Sequence, residues 1–205
     1  MSDLVTGRDG RTRCAWSGGD ALYDAYHDEE WGRVATGDRQ LFEKIVLEGF
    51  QAGLAWITIL RKRERFRTVF AGFDPAVVAG FGEKDVLCLL DDAGIIRHRG
   101  KIEAAISNAG RALEMIDEFG SIADYVWPRA STGPAPSSLA DLAATTEASI
   151  DLSKDLKRRG WKFVGPTTMN AFMQAMGLVN DHLAGCWARP ECEAEREPVL
   201  ESFVA

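Results

Sequence analysis

Residues 99–120 read RGKIEAAISNAGRALEMIDEFG, and they decide the fold class. Apolar side chains recur at 102, 105, 106, 109, 112, 113 and 116, the three-and-four spacing of one helix face. Gly120 stands where a helix end favours glycine. The pattern continues upstream. Asp38 is a candidate cap for a helix from Arg39 carrying Leu41, Phe42, Ile45 and Val46. Asp74-Pro75 is a cap followed by an N1 proline, and the run from Glu83 to Ala93 stops at Gly94. Downstream, Ser149 or Asp151 opens a helix that closes at Arg159-Gly160, and Pro166 opens another that ends at Gly177. No stretch alternates with turns at hairpin spacing. The expected fold is all-α, without a sheet.

Composition bounds the function. With 205 residues, 46% of them hydrophobic, the chain can bury a core without disulfides. Its 24 basic against 31 acidic residues give a net charge of −7, which excludes a globally basic coat protein for nucleic acid. No apolar run approaches the ~18 residues of a membrane span, and MSDLVTGRDGRTRC lacks the apolar stretch of a secretory signal. A cytoplasmic monomer without membrane contact is expected. Four cysteines, at 14, 88, 186 and 192, are too scattered for a disulfide scaffold. Cys88, inside VLCLL, reads as a core thiol. The chain divides into a polar extension over 1–12, one helical domain over 13–190, and an acidic tail over 191–205. That tail, with five Glu against one Arg, and the loop 129–138 read as loose.

Thirteen of the 24 basic residues fall in three short stretches, 61–67, 97–101 and 154–162. Each is compatible with solvated helix ends. Three together in an acidic chain point to a surface facing phosphates.

The three histidines stand at 27, 98 and 182, and two of them are spaced tightly with cysteine: Cys14-x12-His27 and His182-x3-Cys186. On a helix, His-x3-Cys puts both side chains on one face, suiting two corners of a tetrahedral zinc site. Cys14, His27, His182 and Cys186 would fill all four positions, making the ion structural and joining the two ends of the domain. The alternative is two unrelated pairs; Cys192 is a weaker substitute ligand.

Glu48 shares a helical stripe with Leu41, Ile45 and Ala52 and so projects into a buried face. A carboxylate there is either paired in a structural salt bridge or used. Trp16, Trp31 and Trp56, with Tyr23 and Tyr26, can form core or a flat slot that stacks a planar base. The segment LKRRGWKFVGPTT suggests a helix, a tight hairpin at about 156–168, and a new helix at Pro166. Free N–H groups at that helix start bind phosphate, Gly165 permits close approach, and cations at 157–162 flank it.

These segments add up to a resemblance. RCAWSGGDALYDAYHDEEWG, LEGFQAGLAWITILRKRE, DAGIIRHRGKIEAAISNA and LKRRGWKFVGPTTMNAFMQAMGLVNDHLAGC resemble the bacterial DNA-3-methyladenine glycosylase I family, from about Cys14 to Cys186. The resemblance implies a helix-hairpin-helix glycosylase that flips 3-methyladenine out of alkylated double-stranded DNA and hydrolyses its glycosidic bond. Free base and an abasic site are the products. It implies one structural Zn2+ on Cys14, His27, His182 and Cys186, and Glu48 as the base-recognising, catalytic carboxylate. It further implies Trp56 as the stacking ring, Trp16, Tyr23, Tyr26 and Trp31 around the pocket, and Gly53-Leu54 as the wedge filling the vacated space. Lys157, Arg158, Lys162 and Gly165 are the expected DNA contacts. The superfamily's catalytic aspartate has no clear match; Asp181 is expected to orient His182 or to cap. No lysine is a candidate for a Schiff base, so strand cleavage is not expected. A zinc-stapled binding module fits less well because phosphate binding needs neither Glu48 nor an aromatic pocket, and a zinc hydrolase because four protein ligands would fill the metal.

Overall fold

The computed structural model describes residues 3–204; Met1, Ser2 and Ala205, of the expected extension and tail, lie outside them. Helices α1 (Ala21–Glu29), α2 (Asp38–Gln51), α3 (Trp56–Val69), α4 (Pro75–Val78) and α5 (Glu83–Asp91) lead to the long α6 (Arg99–Phe119). Then come α7 (Ile122–Val126), α8 (Glu147–Arg158), α9 (Pro166–Ala175) and α10 (Arg189–Val204). The core stripe of α6, Ile102, Ala105, Ala109, Ala112 and Met115, is fully buried, while Leu113 at its edge is exposed. His98, the third histidine, caps α6 by accepting from the Lys101 amide at 3.2 Å. Helix α2 is buried from Leu41 to Phe50 and packs against α3, α6, α7 and α9. It is therefore the element from which inward-facing side chains reach the middle of the molecule.

The expectation of no sheet is corrected by one antiparallel hairpin, β1 (Leu4–Thr6) with β2 (Thr12–Cys14), paired Leu4 to Cys14 and Thr6 to Thr12. Three residues per strand are too few for alternation to show in a sequence, and the turn hides in Gly7–Gly10, where the Gly10 amide donates to Gly7. The acidic end is not loose either. It is α10, and its one arginine anchors it: buried Arg196 donates to the carbonyls of Gly177 (2.6 Å), Ser131 (2.7 Å) and Leu178 (3.1 Å).

Other local expectations shift for identifiable reasons. Asp38 is the first residue of α2, and its carboxylate accepts from the Ile122 amide at 2.7 Å instead of capping. Helix α8 starts at Glu147 because Thr146 supplies the cap to Ser149. Cys88 is exposed, since Val86 and Leu89 take the inward stripe of α5.

Candidate active site and metal centre

Cys14 ends β2, His27 lies in the last turn of α1, and His182 and Cys186 lie in the irregular segment before α10. All four are buried, and their donor atoms lie within 4.8 Å of one another. His182 Nδ1 is 3.9 Å from Cys14 Sγ and 3.4 Å from Cys186 Sγ; His27 Nε2 is 3.5 Å from Cys186 Sγ. Tetrahedral zinc with thiolate and imidazole bonds has edges of about 3.3–3.8 Å, so the donors already stand near those corners. The rest of each ring agrees. His27 Nδ1 is 2.8 Å from Asp28 Oδ1, and His182 Nε2 is 2.9 Å from the Trp31 carbonyl. Both acceptors demand a proton there, which leaves the lone pairs of His27 Nε2 and His182 Nδ1 facing the sulfurs, the former also reached by the Cys14 amide at 3.4 Å. Asp28 is held in turn by Arg13 at 2.6 Å and by the Trp187 indole at 3.0 Å. Contact with Cys186 and burial push the Cys14 thiol up, while Cys14 and the two histidines hold Cys186 down.

Two expectations about this centre are corrected. His182 and Cys186 are not on a helix; a turn with Gly185 at φ +89° brings them together. Asp181 does not orient His182 but accepts from Gln174 Nε2 at 2.8 Å. Cys192 is buried nearby and is not among the four.

A cleft of about 350 Å3 opens beside this centre. Trp16, Tyr23, Tyr26, Trp31, Glu48 and Trp56 all line it. Trp16 sits edge-on to Trp31 (4.9 Å) and Tyr23 (5.3 Å), and Tyr26 lies 5.3 Å from Trp56. Trp16 also rests on His27 at 5.2 Å, so the candidate metal site and the cleft share a wall. Gln51, Leu139, Leu142, Ala171 and Gln174 complete the lining, and no spacing in the sequence marked them. The turn carrying Leu139 is tied to the N-terminal strand region, Asp3 accepting its amide at 3.0 Å.

Glu48 is paired. Lys44, one turn earlier and equally buried, places Nζ 2.7 Å from Glu48 Oε1, donates to the Tyr26 hydroxyl at 2.7 Å, and lies 3.5 Å from the centre of the Trp56 ring. The indole N–H of Trp56 has no partner among the described residues, so packing and the ammonium fix the ring. Burial holds Lys44 below its ordinary value against the pull of Glu48, and burial with the nearby Glu48 raises both Tyr23 and Tyr26. The i,i+4 spacing of Lys44 and Glu48 was the available signal.

The basic stretches separate. In 61–67, Arg61, Arg63, Arg65 and Arg67 pair with Asp20, Glu30, Asp92 and Glu43, and Lys62 donates to the Ala93 carbonyl. The charges of this stretch are thus engaged with acids from distant parts of the chain, although Arg61 and Arg65 stay more than half exposed. Lys101 is buried and donates to the carbonyls of Phe50 (2.9 Å) and Ala52 (2.7 Å), closing the end of α2 beneath Gly53 and the exposed Leu54. In 154–162, Arg158 bonds Asp155 and Arg159 bonds Glu118 and Asp155, while Lys157 and Lys162 are exposed. Asn108 clamps the hairpin, exchanging two bonds with the Lys162 backbone at 2.8 and 2.9 Å. Gly165 has an ordinary φ of −63°, and a Cβ there would meet only Thr168 Oγ1 at 3.8 Å. The fold does not require glycine at 165.

Residues 16–189 match the methyladenine glycosylase family model. The chain belongs to the methyladenine glycosylase family. DNA-3-methyladenine glycosylase 1 of Escherichia coli (strain K12) is 51% identical over 181 residues, 87% of this chain and 97% of the relative. A crystal structure of a 3-methyladenine DNA glycosylase I superposes with a TM-score of 0.83 at 52% identity, covering 87% of this chain and 100% of that one. A variant of such an enzyme solved with 3-methyladenine bound gives a TM-score of 0.83 at 34% identity, over 87% of this chain and 97% of that one. Among the described residues no helix is long and apolar enough to cross a membrane.

Proposed function

We propose that this glycosylase flips 3-methyladenine out of alkylated DNA into the cleft and hydrolyses its N-glycosidic bond, leaving an abasic site. The observation that carries the reading is Glu48, a buried carboxylate on the wall of an aromatic slot with one oxygen committed to Lys44 and the other left for a ligand. Methylation at N3 gives the base a positive charge, so it leaves neutral and needs little help from a general acid. The work left is to extract, orient and hold it, with unstacking costing a few kcal/mol. Oε2 of Glu48 accepts the exocyclic N–H of the base, Trp56 covers one face, and Trp16, Tyr23, Tyr26 and Trp31 close the sides. Leu54 at the exposed turn fills the vacated space in the duplex, while Lys157, Lys162 and the backbone around Gly165 hold phosphates. The dispensability of Gly165 for the fold supports that last role.

Zinc is the ion the four donors fit best, held by Cys14, His27, His182 and Cys186 with no open position. It supplies structure: it fastens the strand before Trp16 to the segment before α10. A repair enzyme acting on DNA belongs, on this reading, in the cytoplasm alongside its substrate.

The test is to incubate the purified protein with N-methylated duplex DNA and quantify released bases. Release of 3-methyladenine with an equal yield of abasic sites is expected, and it should disappear after prolonged chelation that unfolds the protein. A folded, metal-loaded protein that releases no base would overturn the proposal.

A further inference from the structure

Of the basic stretch 97–101, two residues have no part in the proposed reaction or in holding the fold together by charge. Arg99 is taken by Glu83 and Glu103, and Lys101 by the carbonyls of Phe50 and Ala52. Arg97 and His98 are left. Both are exposed, and Arg97 makes no ion pair among the described residues.

Their position is defined by what α6 holds. Lys101, in its first turn, ties down the turn that leads to Leu54, and Asn108, two turns further on, clamps the hairpin at Lys162. The start of α6 therefore lies between the wedge and the hairpin. Phe163 spans the gap: its ring meets the His98 imidazole edge-on at 6.3 Å, and α2 passes so close behind that a Cβ on Gly49 would come within 3.2 Å of the Phe163 Cβ. Even so, Phe163 stays 40% exposed. His98 accepts the Lys101 amide at Nδ1, which places its proton on Nε2. That N–H has no acceptor among the described residues.

An apolar ring, an N–H donor and an unpaired guanidinium side by side match one unit of a nucleic-acid backbone, a sugar with its phosphate. The exposed Lys162, next to Phe163 in the chain, is already placed on a phosphate, and the group one step from a phosphate is its deoxyribose. We propose that Arg97, His98 and Phe163 form a further DNA contact, apart from the wedge, on the sugar-phosphate between the flipped nucleotide and the phosphates held at the hairpin. Phe163 packs on a deoxyribose, and the Nε2–H of His98, with Arg97, takes the adjoining phosphate. Neither group reaches a base edge, so the contact is blind to sequence and to the lesion. The inference rests on the reading of this surface as the one that meets DNA.

Fluorescence anisotropy with a duplex carrying a tetrahydrofuran abasic analogue tests it. His98→Ser keeps a capping oxygen for the Lys101 amide and removes the outward donor. Phe163→Gly removes the ring and suits the backbone φ of +55° at that position. His98→Ser should weaken duplex binding about 10-fold, the loss expected for a hydrogen bond to a charged acceptor, and Phe163→Gly about 5-fold. The Tm and the affinity for free 3-methyladenine should stay at wild-type values in both. Arg97→Gln should lower the salt slope by about one unit. Neutral methylphosphonate linkages, placed one at a time around the analogue, locate the contact: at one linkage wild type should lose affinity and His98→Ser should lose no more. Wild-type affinity in either variant, a loss that comes with a lower Tm, or the same methylphosphonate profile in His98→Ser as in wild type overturns the assignment. A wild-type protein that binds no duplex would instead count against the DNA-facing surface itself.

Discussion

Replacing Glu48 with glutamine removes the partner of a fully buried ammonium. The wild-type pair is close, at 2.7 Å, and both members are almost inaccessible to water. Breaking such a pair from one side costs about 3–5 kcal/mol, because a charge is left uncompensated. The lysine has one escape, to lose its proton on folding. From an ordinary value of 10.5, neutralising it costs at most about 1.36 kcal/mol per unit of pH below that value, hence about 5 kcal/mol at pH 7 and about 2 kcal/mol at pH 9. The sign follows from proton binding. In the variant the folded lysine titrates below the unfolded one, so the unfolded state holds more protons and stability rises with pH up to about 10.5. In thermal unfolding at pH 7 and pH 9, Glu48→Gln should therefore be clearly less stable than wild type at pH 7, by about 10 °C in Tm in a chain of this size. It should recover more than half of the deficit at pH 9. Adding Lys44→Met should recover most of it at both values. A Glu48→Gln protein as stable as wild type at pH 7, or a deficit that does not change with pH, would show that Lys44 does not depend on Glu48.

The same Glu48→Gln protein, assayed where it is folded, should excise 3-methyladenine at least ~10-fold more slowly, since a charge-assisted acceptor becomes a neutral one; a wild-type rate would make Glu48 a bystander. Asp28→Asn should weaken metal retention about 10–100-fold in a competition with a chelator, because the carboxylate sets the tautomer of His27. Lys157→Ala with Lys162→Ala should weaken binding to methylated and unmethylated duplex alike and flatten the salt dependence by about one unit of slope per lost contact. Lys101→Met, which frees the carbonyls of Phe50 and Ala52, should slow excision from duplex while leaving the affinity for free base unchanged, as measured by titration.

Much of this was legible because some residues carry local signals. Helix α6 has the bounds Arg99–Phe119 that its periodicity and closing glycine indicate. The Asp74-Pro75 cap is formed, with the Asp74 carboxylate accepting from Ala76 at 3.0 Å. Three histidines in the whole chain made the pairings with Cys14 and Cys186 conspicuous, and the structure brings those four together. What escaped depends on distance in sequence. Lys101 looked like a surface cation, yet it serves carbonyls some fifty residues earlier. Leu139 and Leu142 sit in a loop without periodicity and acquire meaning only where the chain folds back on α2. Asp28 reads as an ordinary helix-end acid until Arg13 and Trp187 converge on it. Net charge was equally uninformative about the arginines of 61–67, since pairing with distant acids is invisible in a composition.

The wall shared by Trp16 and His27 has a consequence for biosynthesis. Every aromatic ring of the cleft lies between residues 16 and 56, so the ribosome delivers them first. The second half of the candidate metal site, His182 and Cys186, arrives about 125 residues after Trp56. A nascent chain can thus gather its rings early, but the contact of Trp31 with His182 forms only after the final histidine has emerged. Prematurely terminated products would keep the aromatic residues and lack His182 and Cys186, so the four donors meet only in chains translated almost to the end.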